Sequence, residues 1–152
     1  MVVSFFYIIF VVEIKTNTVM TTDEKMLLLK DLCARLPYGV KVNNEIQGDF
    51  VIYGVCEDYI FARNTNNHVD FHIEKIKPYL FPMSSMTEEQ RNEFDTQTFT
   101  IMFGECICKK NDEMAYGKLM KFDLDFYNKH HLDWIGLIPM GLAIDATGLN
   151  IY

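Results

Sequence analysis

The apolar period of this chain changes at Pro37, and that change limits the possible folds more than any other feature. Ahead of it, Thr21-Thr22-Asp23-Glu24 matches a capping box, with Thr21 as the N-cap and Glu24 three positions on. Met26, Leu29, Leu32, Cys33 and Leu36 then recur at spacings of three and four, while Lys25, Lys30, Asp31 and Arg35 fall on other faces, which predicts an amphipathic helix. Pro37 ends it, because the residue before a proline is pushed out of the helical region. From Val40 to Ile73 the period is two. Val40 and Val42 alternate with Lys41 and Asn43, and Phe50–Val55, Tyr59–Ala62 and His68–Ile73 are separated by the turn-forming Glu57-Asp58 and Asn64–Asn67. Three or four short strands of this kind predict an antiparallel meander packed on a helix, hence an α+β fold. A small curled sheet of the SH3-like type is the expected form; an open sheet has the same periodicity.

Further along, Pro78 and Pro82 bracket Tyr79-Leu80-Phe81 and predict an extended crossing segment. Ser85/Glu88 and Thr87/Gln90 are overlapping capping boxes that predict a short helix. Thr98–Cys108 is apolar and β-prone and reads as a further strand. A second long helix is expected from about Tyr116 to His131, with Met120, Leu124, Tyr127, His131 and Trp134 on one face and Leu119, Phe122 and Phe126 beside them. That stripe, with Leu29 and Leu32 of the first helix, is expected to form one core. If Leu124 is not packed there, the Met, Phe and Tyr side chains of the second helix read instead as an exposed partner-binding face. Gly136, Pro139, Gly141 and Gly148 punctuate an irregular or short-strand tail.

Val2–Val12 is an apolar run that stops at Glu13, about half the length a membrane span needs. It lacks the basic start and small-residue cleavage site of a secretory signal. Met20 stands directly ahead of the first capping box, so residues 1–19 read as an extension before the natural start, or else as a core or edge strand. A membrane anchor is the least favoured reading. The remainder, 20–152, is expected to be a single domain. A formal charge of −7, with 14 basic residues scattered among 21 acidic ones, disfavours a phosphate-binding surface and hence nucleic acid as partner. The four cysteines are too sparse for a disulfide scaffold; Cys33 and Cys56 read as small core residues, and the expected setting is the reducing cytoplasm.

Three constellations carry candidate chemistry. His68, Asp70 and His72 alternate along a strand about 7 Å apart and could present two imidazoles and a carboxylate to zinc or iron. A half-buried strand with a polar outer face explains the same pattern, so no metal or cofactor is expected. His130, His131 and Asp133 lie where the last helix ends. A histidine there caps carbonyls favourably, whereas a His oriented by Asp133 would be a general base; capping is the favoured role. Cys106-Ile107-Cys108 is too closely spaced for a redox pair. Tyr127 and Trp134 are the candidate binding aromatics.

The blocks Leu28-Leu29-Lys30-Asp31-Leu32-Cys33-Ala34-Arg35-Leu36-Pro37-Tyr38-Gly39-Val40, Ile76-Lys77-Pro78-Tyr79-Leu80 with Pro82-Met83-Ser84-Ser85-Met86-Thr87-Glu88-Glu89, and His130-His131-Leu132-Asp133 with Gly136-Leu137-Ile138 and Gly141-Leu142-Ala143 resemble a group of small hypothetical proteins. That group is abundant in gut Bacteroidetes and their phages or mobile elements, and its members begin near the position of Met20. The resemblance implies a bacterial or phage cytoplasmic setting and supplies no catalytic residue. The expected function is a non-enzymatic protein-interaction or accessory module. The alternative is a small metal-dependent or His/Asp-based hydrolase using His68, Asp70 and His72, or His130 and Asp133.

Overall fold

The side chain of Thr21 accepts from the amide of Glu24, and the Glu24 carboxylate accepts from the amide of Thr21 at 2.8 Å. This closed capping box starts helix α1, Thr22–Arg35, in the computed structural model, which describes residues 19–107 and 112–152, with the backbone alone over 105–107 and 112–115. The buried face of α1 is Leu28, Asp31, Leu32 and Arg35, with Leu27 and Leu29 half-buried at its margins. Met26 and Cys33 are exposed, so the helix is rotated from the expected stripe. The three successive leucines leave the phase open. The Asp31–Arg35 ion pair then settles it by occupying the inner face, where its charges compensate each other. A turn of tighter helix over Leu36–Tyr38 follows, and Gly39 at φ 70° reverses the chain without a Cβ penalty.

The meander forms as the alternation predicts: β1 Lys41–Asn44, β2 Gly48–Cys56, β3 Tyr59–Arg63 and β4 His68–His72, each antiparallel to the next. Val42, Phe50, Ile52, Ile60, Ala62 and Phe71 point to one side, under Leu28 and Leu32 of α1. Fully burying each leucine is worth about 1.5–3 kcal/mol. Cys56, at the end of β2, is exposed rather than a core residue. The bracketing prolines hold an extended β5, Lys77–Pro82, which pairs antiparallel with β1 and parallel with two short strands of the tail, β6 Leu132–Asp133 and β7 Ile144–Asp145. Strand order is β4-β3-β2-β1-β5-β6, with β7 also on β5. Leu137, Leu142 and Ala143 of the tail complete the core.

The largest departure lies after β5. Of the two overlapping capping boxes, Thr87/Gln90 closes, and it starts α2, Glu88–Ile101. The strand expected over Thr98–Cys108 is therefore not formed in its described part, 98–107: α2 runs through the first residues and passes into a widened π-helical turn over Met102–Ile107. Phe94 supplies the reason. Its ring lies 5.1 Å from that of Phe126 and 5.5 Å from that of Phe122, and this tertiary contact outweighs the β propensity of the threonines. Thr100 accommodates the helix by donating its hydroxyl back to the carbonyl of Thr96 at 2.8 Å. Helix α3, Asp112–Lys129, returns antiparallel to α2, with Gln90 beside His130 and Glu93 beside Lys129. The Cys106–Cys108 pair falls outside the described side chains, and residues 1–18 lie outside the described residues. Among those described, no helix is long and apolar enough to cross a membrane.

Candidate functional site

Three regions hold the residues that the sequence singles out. The first is the end of α3. Arg35, fully buried, donates from Nε and Nη2 to both oxygens of Asp31 at 2.8 Å, and from Nη2 to the carbonyl of Leu132 at 2.9 Å. Its Nη1 reaches the carbonyl of Tyr127 at 3.4 Å. One guanidinium thus ties α1 to the last turn of α3 and to β6. His131 ends the helix in the left-handed region, at φ 53°, and its ring stacks on that of Tyr152 at 3.9 Å. Burial, and then the nearby cations Arg35, His130 and Lys41, push the His131 imidazole down to about 4, so it is neutral near pH 7.

Asp133 does not orient either histidine. Its two oxygens accept from the amides of Gly136, Leu137 and Ile138 at 2.7–2.9 Å, fixing the turn that leads into the tail. His130 faces α2: Nδ1 lies 3.1 Å from the side-chain nitrogen Nε2 of Gln90, and its own Nε2, buried without a hydrogen bond, lies 3.7 Å from a Glu93 oxygen. The His/Asp base considered from the sequence is therefore not assembled. A recess of about 210 Å³ opens beside His130, lined by Phe81, Ser85, Thr87, Gln90, Leu132 and Thr147 among others. The hydroxyl of Ser85 is bound to the carbonyl of Pro82, and that of Thr87 caps α2. Neither is paired with a base, so the recess lacks an activated nucleophile.

The second region is the outer face of the meander. His68 pairs across the strands with Arg63, Asp70 with Phe61, and His72 with Tyr59. Each histidine stands edge-on to its own tyrosine, His68 to Tyr53 at 5.6 Å and His72 to Tyr59 at 5.7 Å. Four residues of strand separate the two imidazoles by about 13 Å at the usual rise. They cannot share an ion. His72 has Asp58 and Glu74 at 3.9 Å, yet no group of three His, Cys, Asp or Glu side chains able to hold a metal is gathered among the described residues. The straightness of the strand and the ring pairing thus give no support to the minor reading of His68, Asp70 and His72 as metal ligands.

The third region is the helical hairpin. Not one residue of α2 is buried. Phe94 closes an inner seam with Phe122, Phe126 and Tyr127, so Tyr127 is a seam residue rather than a free binding aromatic. Burial in this seam raises the Tyr127 hydroxyl and the Asp123 carboxyl above their usual ranges. Trp134 is 38% exposed and is pinned by its indole N–H, which donates to the Asn128 side-chain oxygen at 3.1 Å.

Away from the seam, Phe99, Met102, Phe103, Tyr116, Met120 and Leu124 are all exposed, from 39% for Leu124 to 65% for Met120. Met120 and Leu124 were expected in the core and are outside it. Of the described apolar side chains of α3, Phe126 alone is buried. The sequence signal for this surface was present in the i, i+3, i+4 spacing of Phe99, Met102 and Phe103, but it was masked by the strand reading of the same segment. Comparison with protein-family models, with curated proteins and with solved structures finds no match for this chain.

Proposed function

We propose that this chain is a non-enzymatic protein-interaction module that engages its partner through the outer face of the α2–α3 hairpin. The observation that carries this reading is the apolar stripe just described. Six large side chains, each about half exposed and worth roughly 100 Å² of accessible surface, amount to about 600 Å². A patch of that size is at the upper limit of what monomeric proteins leave open, and it generally marks a contact surface. The net charge of −7 makes nucleic acid a poor candidate for the partner, and an aromatic- and methionine-rich apolar face suits a protein. An accessory role in a bacterial, phage or mobile-element cytoplasm accords with the resemblance of the sequence blocks. The hydrolase alternative has less support, because Asp133 is committed to three backbone amides and the two strand histidines diverge.

A photo-crosslinking residue placed at Met120 tests the proposal. Discrete protein adducts, lost when Phe99→Asp is introduced, are expected. The same probe at Lys30, on the exposed side of α1, should give none. Equal adducts from both positions, or none from Met120, would count against an interaction face on the hairpin.

A further inference from the structure

The apolar patch is formed by both helices of the hairpin. Gln90 beside His130, Glu93 beside Lys129 and Phe94 against Phe126 set an antiparallel register that carries Phe99 to the level of Met120. At about 100° per residue, Tyr116, Met120 and Leu124 centre roughly 100° around α3 from the middle of the Phe122, Phe126 and Tyr127 seam. Phe99 lies roughly 140° in the same sense from Phe94 on α2, and Met102 and Phe103 open the widened turn that follows it. In antiparallel helices rotations of one sense bring both stripes to the same side. The result is a flat, two-helix apolar face.

Gly117 adds an independent observation. It lies inside α3 between Tyr116 and Met120, and a Cβ built on it meets nothing within 4 Å. It has no positive φ that would require glycine. A glycine in a helix interior costs about 1 kcal/mol relative to alanine, and no described contact of this chain accounts for that cost. A missing side chain on an apolar helix face lets another helix backbone approach closely.

We infer that the partner of the hairpin is a second copy of this chain, the two hairpins packing face to face into an isologous four-helix bundle. The inference rests on the interaction reading above and names its partner. A two-helix apolar face is best matched by another two-helix face, and a two-fold axis supplies one from the same sequence. About 600 Å² from each copy makes about 1,200 Å² in total, which reaches the lower bound of stable specific interfaces.

Sedimentation of the full chain over a wide concentration range tests the inference. The wild type is expected to show a reversible monomer–dimer equilibrium. Met120→Glu should be monomeric with an unchanged circular dichroism spectrum. Gly117→Leu should weaken the dimer about tenfold or more while leaving the isolated fold at least as stable, since leucine is the better helix former. Tyr53→Glu, on the outer face of the sheet, should leave the dimer intact. A wild type that is monomeric throughout would overturn the inference, as would a dimer indifferent to both Met120→Glu and Gly117→Leu. If a monomeric wild type still crosslinks from position 120 to a different protein, the second copy is wrong and the interaction face stands. If it is monomeric, gives no crosslink and is destabilised both by Met120→Glu and by removal of residues 1–19, the patch is covered by its own chain and both readings fail.

Discussion

Replacing Arg35 by alanine should be among the most damaging single changes available in this protein. The guanidinium is fully buried and makes two bonds to Asp31, one to the carbonyl of Leu132 and one to that of Tyr127. Its removal leaves the Asp31 carboxylate, itself 1% exposed, without a counter-charge, and takes a donor from the carbonyls of Tyr127 and Leu132, the latter keeping the Trp134 amide at 3.0 Å. Breaking one partner out of a buried ion pair costs about 3–5 kcal/mol, a large fraction of the roughly 5–15 kcal/mol that holds a typical domain together. With a urea slope of roughly 2 kcal/mol per molar, the midpoint should fall by about 2 M in a denaturation curve followed by circular dichroism. The double variant Asp31→Leu/Arg35→Met removes both charges while keeping apolar volume, and should recover most of the loss. The same variants report on the hairpin, because Arg35 is the tie between α1 and the end of α3. A loss under about 1 kcal/mol for Arg35→Ala, or a double variant as damaged as the single, would refute the buried-pair reasoning.

Two further outcomes follow from the same geometry. Leu32→Ala, in the core, should cost about 2–5 kcal/mol, whereas Leu124→Ala should cost well under that in the isolated chain; equal losses in the denaturant midpoint would mean that α3 is packed more deeply than described. The pH dependence has a defined sign. The folded imidazole of His131 sits at about 4, below the ordinary value of 6.5, so between those values the unfolded chain binds a proton that the folded one does not. Stability should therefore fall as pH drops from about 6.5 towards 4, by at most about 3 kcal/mol, with His130, also lowered by burial, acting in the same direction. Asparagine tolerates the left-handed backbone at this position, so His131→Asn should flatten the profile; an unchanged profile would show that His131 is not its source.

Much of the framework was legible in the sequence, because it depends on short-range chemistry. The Thr21/Glu24 and Thr87/Gln90 boxes close as read, and the turns at Glu57-Asp58 and Asn64–Asn67 separate the strands that the alternation predicts. What escaped depends on contacts distant in sequence. Leu27-Leu28-Leu29 allows two helical phases, and the choice between them is made by Arg35 reaching carbonyls nearly a hundred positions away. Thr96, Thr98, Thr100 and Ile101 favour strand locally, and the packing of Phe94 on Phe122, Phe126 and Tyr127 holds them in a helix. The candidate site was half visible. The spacing of Met120 and Leu124 marks a stripe, and with Leu124 exposed that stripe reads as a partner-binding face. Their exposure could not be read from periodicity, since a core face and a contact face have the same spacing.

The most direct measurement of the central claim is an oxidative footprint of the methionines in the native protein at its working concentration. Met102 and Met120 belong to the hairpin face, while Met83 and Met140, exposed to 36% and 46%, lie elsewhere and serve as internal references. If the face is a contact surface, Met102 and Met120 should oxidise several-fold more slowly than Met83 and Met140, and Met102 should lose that protection in the Gly117→Leu variant. Oxidation of Met102 and Met120 at least as fast as the references, in proportion to their exposure in the isolated chain, would contradict the account.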